Sequence, residues 1–386
     1  MSGVTSASAI SAMALLLALA PPAMGLQEAE ETITVFQPGG LSEELEATTR
    51  AISSRAGARM AVFHAGTLRL VAVRRGAQVV QEAPQGFAYP MSTMAVEPQG
   101  AAPLLGGEVA DVLGRGELVL GRVSASLRLA EVGDRVELVG WDGKLHRLPV
   151  GAVVDDAQIG WSEMALSEER AASLGLVRPS YAVLWDFSDP RKLKRALERD
   201  APEGAGLAVR WSSDPPRPDR TLPSALLKQR FGEFAYRPTG EGDQVEIEPD
   251  WVEGNIVWVE LPGLGRFRCH RSLVAYLEGV MGELWQSGQI LRIDQHDFQH
   301  SGGCYNPRQM RGGDKGGALS RHAWGVAIDI NPSRNPYGGP GGDEPGGGGG
   351  LSPVGLRLGR GMDLSGRRAL RVGPLAGSPG AAGGRL

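Results

Sequence analysis

LSRHAWGVAIDINPSRNPYGG, residues 319–339, is the stretch on which the reading of this chain turns. Its second third alternates apolar and small residues and predicts a β-strand over residues 325–330. Successive side chains of a strand point to opposite faces, so Val326, Ile328 and Ile330 share one face while Ala327 and Asp329 share the other. A carboxylate then projects from the sheet beside a very small neighbour. His322 sits in the loop entering that strand, and Gly325 lets the chain turn between the two. A neutral imidazole and a carboxylate meeting there supply two of the three protein ligands of a catalytic zinc, leaving the fourth position to water. On spacing alone such a pair is more often structural than metal-binding.

Upstream, residues 272–287 carry Leu273, Tyr276, Leu277, Val280, Met281 and Leu284 at intervals of three and four, which predicts an amphipathic helix. Residues 290–293 read as a strand, and VEIEPDWVEGNIVWVELP, residues 245–262, as strand material. The expected fold class is α+β, with a C-terminal unit over residues 224–339 in which helices pack on a short, mainly antiparallel sheet. Residues 211–223, rich in Pro, Asp and Arg, read as a linker. Residues 31–210 read as an N-terminal α+β unit: a helix over 42–55, short strands at 61–64, 67–73, 117–123 and 135–139, a turn at Trp141-Asp142-Gly143-Lys144, and a second helix after Asp189 with Pro190 in its first turn. From Gly338 the sequence becomes Gly-rich without periodicity, a composition that predicts a disordered tail over residues 340–386.

Bulk properties narrow the partners. The formal net charge is -4, from 40 Lys plus Arg against 44 Asp plus Glu. No basic surface for nucleic acid follows from that balance. Residues 1–25, with an apolar run over 14–20 followed by Pro21, Pro22 and the small residues Ala23 and Gly25, outline a secretory signal peptide. That run is too short to span a bilayer, and no other run is long enough, so a secreted or periplasmic protein of the cell envelope is expected. Cys269 and Cys304 allow one disulfide at most; the sequence leaves their pairing open.

The string Ser320-x-His322-x-x-Gly325-x-Ala327-x-Asp329 resembles the zinc-binding motif of the M15 family of peptidases, which includes D-alanyl-D-alanine carboxypeptidases and L-alanyl-D-glutamate endopeptidases. The upstream GGCYNPRQMRGG, residues 302–313, resembles the family segment whose arginine helps bind substrate, matched here by Arg308. The resemblance covers residues 226–339. It implies a Zn2+ cofactor held by His322 and Asp329, a peptidoglycan stem peptide as substrate, Arg308 receiving a stem-peptide carboxylate through its guanidinium fork, and Ser320 orienting the loop. A separate resemblance, carried by LRLAEVGDRVEL and ALSEERAASLGL within residues 127–176, is to the extracytoplasmic domains of certain ABC-type permeases and of some export-associated proteins. It implies an accessory role for the N-terminal unit, structural or docking an envelope partner.

The M15 pattern breaks off after Gly339. The family continues with a WGFxWGG strand entry and an acidic-x-x-His-Phe-Glu segment that supplies the general base and the second histidine ligand, yet no histidine follows His322 in this chain. A replacement pair, His296 and His300, stands at i and i+4, but the strand-like run before it and Gly302-Gly303 after it argue against a helix there. His270 is adjacent to Cys269, and neighbouring strand residues point to opposite faces. Three readings stand: a zinc peptidase, a catalytically inactive wall-binding module, and an envelope-assembly protein of which the peptidase core is an appendage.

A frame change can account for the missing segment. VGLRLGRGMDLSGRRALRV, residues 354–372, shifted by one nucleotide with free choice of synonymous bases, can encode WGFAWGGGWTFPDGAHFEW. The expected outcome of reading the nucleotide sequence is therefore a frame change between codons 339 and 350, with downstream bases that spell the peptidase segment. Bases that spell anything else refute it.

Overall fold

The computed structural model describes residues 31–37, 39–202, 207–214, 222–310, 317–331 and 333. The expected signal peptide, the Gly-rich tail and most of the expected linker lie outside the described residues, as does the segment read in the alternate frame.

A mixed sheet of ten strands organises the N-terminal unit: β1 (Ile33–Phe36), β2 (Arg59–Arg75), β3 (Gln78–Glu82), β4 (Tyr89–Val96), β5 (Leu118–Gly121), β6 (Arg135–Val139), β7 (Leu145–Val154), β8 (Met164–Ser167), β9 (Pro179–Trp185) and β10 (Ala208–Trp211). The order is β10-β1-β9-β2-β4-β8-β5-β7-β6, with β3 on β2, and β6 pairs back onto β2. The strands from β2 to β6 therefore close into a barrel. Its β4–β8 and β5–β7 pairs are parallel, and the other pairs antiparallel. What closes it is the length of β2, whose 17 residues pair in turn with β9, β4, β6 and β3. Leu68, Leu70, Met91, Leu120, Val136 and Leu138 fill the interior. The two short strands expected at 61–64 and 67–73 are thus one continuous strand.

Helices α1 (Glu43–Arg55), α2 (Ala102–Leu105), α3 (Gly107–Gly114), α4 (Arg122–Arg128), α5 (Glu168–Ser173) and α6 (Pro190–Arg199) surround the strands. Both helices expected from sequence begin as their caps dictate. The Leu45 amide donates to Ser42 Oγ at 3.2 Å, and the Lys192 amide to Asp189 Oδ1 at 2.9 Å, ahead of Pro190. They bury Leu45, Ile52, Leu193 and Leu197 against Ile33, Val35 and Leu184.

The C-terminal unit holds α7 (Ser224–Phe231), β11 (Tyr236–Pro238), β12 (Val245–Ile247), α8 (Pro249–Asn255), β13 (Ile256–Leu261), β14 (Gly265–His270), α9 (Val274–Gln286) and α10 (Gln295–His300). Its strands form two antiparallel hairpins, β11–β12 and β13–β14, packed with the helices around Phe234, Leu264, Met281, Phe298 and Trp324. Three local expectations are corrected. Residues 249–255 turn into α8 because Pro249, lacking an amide hydrogen, starts a helix without loss. Residues 289–292 form a 3-10 turn rather than a strand. Residues 325–330 join no described ladder; Val326, Ile328 and Ile330 still pack on the core, so the alternation reports burial without strand pairing.

The two units meet on a buried group of charges. Glu163, fully buried just before β8, accepts from Arg128 at 3.0 Å and from Lys228 Nζ at 2.8 and 2.9 Å. Glu233 takes a second bond from Arg128 and lies 3.2 Å from Lys228. Two cations thus face two anions, one of each from either unit. Burial works to raise the Glu233 carboxyl, but the charges of Lys228 and Arg128 outweigh it and hold it below the usual carboxylate range. Around this group Ala88 and Tyr236 exchange amide-to-carbonyl bonds at 2.9 Å, and Gln81 donates to Glu233 at 3.2 Å.

Removing one member of a buried charge group costs about 3–5 kcal/mol, because the partners left behind stay desolvated. Lys228→Met is expected to destabilise the chain by about that much in denaturant unfolding, with Glu163→Gln added to Lys228→Met restoring part of the loss. A Lys228→Met chain that unfolds at the wild-type midpoint refutes it.

Candidate metal centre

His322 lies in a 3-10 turn, Arg321–Trp324, that begins at Ser320, whose Oγ accepts from the His322 amide at 3.4 Å. Ser320 is thus a cap that fixes the loop. The turn ends at Gly325 with φ 65°, where a Cβ would come within 2.9 Å of the His270 amide nitrogen, so only glycine fits. The Gly325 carbonyl accepts from that same amide at 2.9 Å.

The neighbouring segment runs antiparallel to this one. The Asn306 amide donates to the His322 carbonyl, the Ser320 amide to the Arg308 carbonyl and the Met310 amide to the Ala318 carbonyl, at 3.0, 2.9 and 2.8 Å. Cys304 at its start is joined to Cys269 on β14, which answers the question the sequence left open. The disulfide pins to the hairpin the segment that carries the partner of the histidine ring.

That ring meets an acceptor on each side. His322 Nδ1 lies 3.2 Å from the Cys304 carbonyl oxygen, and Nε2 lies 3.1 Å from Asp329 Oδ2. With Nδ1–H donating to the carbonyl, the lone pair of a neutral ring at Nε2 would face an anionic oxygen. Two acceptors at that distance repel unless a proton or a cation lies between them. The ring side chain is buried, whereas Asp329 is 44% exposed, so the pair opens to solvent on its carboxylate side.

One imidazole nitrogen and one carboxylate oxygen, with the other ring nitrogen held by a carbonyl, are two of the donor types that zinc takes. Two donors on one tetrahedral ion with bonds of about 2.1 Å stand roughly 3.4 Å apart, close to the separation found. Among the described residues no third His, Cys, Asp or Glu joins them in a group able to hold a metal ion.

The other candidates are distributed as follows. Arg308 is half-buried; its side chain reaches the Gln309 carbonyl at 3.5 Å, and its Nε has no hydrogen-bond partner among the described residues. His296 and His300 stand on α10, a helix that sequence analysis disfavoured and that Asp294 caps by accepting from the Asp297 amide at 3.0 Å. His64 and His146 each face one carboxylate at 3.6 Å, from Glu168 and Asp142.

Two positioning groups were not expected from the sequence. The Cys304 carbonyl carries no side-chain signal at all. Asn331, left-handed at φ 51°, accepts from the Asp294 amide through Oδ1 at 2.8 Å and fixes the chain just beyond Asp329; an Asn tolerant of positive φ ahead of Pro332 was its only trace. A depression of about 720 Å³ lies beside Tyr305, Pro307 and Arg268 and is not lined by His322, Asp329 or Arg308.

No family model matches the chain, and no curated protein matches it. Among solved structures, the extracellular domain of the noncanonic ABC-type transporter YknZ from Gram-positive bacteria is similar at 13% identity over 46% of this chain and 99% of that domain, with a TM-score of 0.29. A score of that size establishes no shared fold.

His270 contributes through its protonation. Its Nδ1 accepts from the Ser272 amide at 3.2 Å, and Nε2 faces the Phe231 carbonyl at 3.2 Å, an arrangement that requires the neutral ring. Burial, aided by the charge of Arg271, lowers its pKa from 6.5, against the opposing pull of the Phe231 carbonyl. The unfolded chain therefore protonates first, so this stabilisation is complete above about pH 6.5 and fades as the pH falls from there toward the folded value. Burial pushes the Asp156 and Glu248 carboxyls upward, and these act with the opposite sign. Comparing wild type with His270→Gln isolates the histidine: the wild type is expected to lose more stability between pH 7 and 5.5 in denaturant titrations, and parallel curves refute it.

Proposed function

We propose that the C-terminal unit is the substrate-holding part of a zinc peptidase acting on peptidoglycan stem peptides, of the D-Ala-D-Ala carboxypeptidase or L-Ala-D-Glu endopeptidase type. The observation that carries this reading is the His322 ring, flanked at both nitrogens by acceptor oxygens, so that a cation has a place between Nε2 and Asp329 Oδ2. His322 and Asp329 are its two ligands in this chain. A bound zinc would polarise the scissile carbonyl and lower the pKa of its water.

Arg308, one step along the antiparallel pair from the residue opposite His322, receives a stem-peptide carboxylate. Its unpartnered Nε supports that role, since a guanidinium fork satisfies itself on a carboxylate. Ser320 holds the loop by its cap. The third ligand and the general base belong to the segment spelled by the alternate frame of residues 354–372.

A secreted or periplasmic setting is supported by the Cys269–Cys304 disulfide, because such bonds persist in oxidising compartments. Among the described residues no helix is long and apolar enough to cross a membrane. The second reading, an inactive wall-binding or envelope-associated protein whose N-terminal unit docks a partner, draws on the lack of a third ligand among the described residues.

Two chains decide between them: this one, and the same chain with the frame restored after codon 339. The restored chain is expected to bind zinc at His322 and to release D-Ala or split the L-Ala–D-Glu bond in muropeptides, with the release and one equivalent of bound zinc lost in its His322→Ala variant. This chain is expected to bind zinc weakly and to leave muropeptides intact. A restored chain without zinc refutes the peptidase reading.

A further inference from the structure

Helix α10 presents a second pair of imidazoles, separate from His322. His296 and His300 stand one turn apart on its exposed side, their rings near-parallel at an interplanar angle of 7° with centroids 6.0 Å apart. Among the described residues neither ring has a hydrogen bond or an ion pair. The other faces of the helix are occupied: Phe298 is fully buried in the core, Gln299 donates to the Leu264 carbonyl at 3.1 Å, and Asp297 Oδ2 accepts from the amide and hydroxyl of Ser333 at 3.1 and 2.7 Å.

We infer that His296 and His300 form a two-histidine site for a divalent ion of the late first transition series, such as Ni2+, Cu2+ or Zn2+, which imidazole nitrogen favours. Histidines at i and i+4 on one helical face approach a single ion together. With metal–nitrogen bonds of about 2.0–2.1 Å, two such rings on one ion hold their centroids roughly 5–6 Å apart, so the observed spacing needs ring rotation rather than backbone movement. Solvent completes the coordination.

Occupancy has a local consequence. An ion bound only by the helical form stabilises it, and α10 is too short to be stable by itself. The same helix fixes the chain that leaves Asp329, through the Asp294 amide on Asn331 Oδ1 and through Asp297 on Ser333. An ion on the histidine pair therefore stiffens the segment that sets the position of Asp329. The site uses neither Asp329 nor His322 and stands independently of the peptidase reading.

The test titrates the untagged full chain with Ni2+ by calorimetry, alongside His296→Ala, His300→Ala and His322→Ala. Both α10 rings are exposed, so their removal leaves the core intact. The wild type is expected to bind one equivalent with an affinity that drops about tenfold or more in either α10 variant, since a chelate becomes a single ligand, and that is retained in His322→Ala. No such binding in the wild type, unchanged binding in either α10 variant, or loss only in His322→Ala overturns the inference.

Discussion

Glu163 is a carboxyl group with no access to water, and two basic side chains and a second carboxyl group close around it. Arg128 reaches it from α4 of its own unit and Lys228 from α7 of the other, while Glu233 balances the second positive charge. A buried anion left with one cation would be desolvated without full compensation, so the two units share one electrostatic problem that neither solves by itself. The composition of residues 211–223 reads as a linker between them. The charges make them one.

The consequence reaches the candidate metal centre through α7. The helix that delivers Lys228 ends with the Phe231 carbonyl facing His270 and the Gly232 carbonyl accepting from the Trp324 indole at 3.2 Å. Trp324 closes the 3-10 turn that carries His322, and His270 ends the strand that carries Cys269. A histidine that must aim Nε2 at a carboxylate is thereby braced from three sides: by the helix end, by the disulfide, and by the Cys304 carbonyl on its other nitrogen.

The approach of His322 to Asp329 was legible in the sequence, and the scaffold around them was not. His322 and Asp329 converge as their spacing implied, and the apolar alternation of residues 326, 328 and 330 correctly marked which residues turn inward. The expected strand did not follow, because alternation records burial on one side and says nothing about whether a neighbouring backbone is there to pair. The helix caps at Ser42 and Asp189 were readable because a cap is local. Closure of the barrel was not, since it rests on β2 pairing with β6 some 60 residues later, and register over such a distance leaves no mark in either segment. The brace on the histidine ring is a main-chain carbonyl, which every residue type offers alike.

The partners of β2 have an order along the chain. Its ladders draw on β3, β4, β6 and β9, all complete by Trp185, whereas Lys228 and Glu233 come later. Folding during synthesis can thus finish the barrel first and leave the Arg128–Glu163 pair as a waiting socket for α7. A nascent chain then acquires its C-terminal half by docking onto a preformed template, and the ribosome has passed the codons for both halves before it meets the glycine codons after residue 339. Whatever those codons go on to specify, they are translated behind a body able to hold its shape.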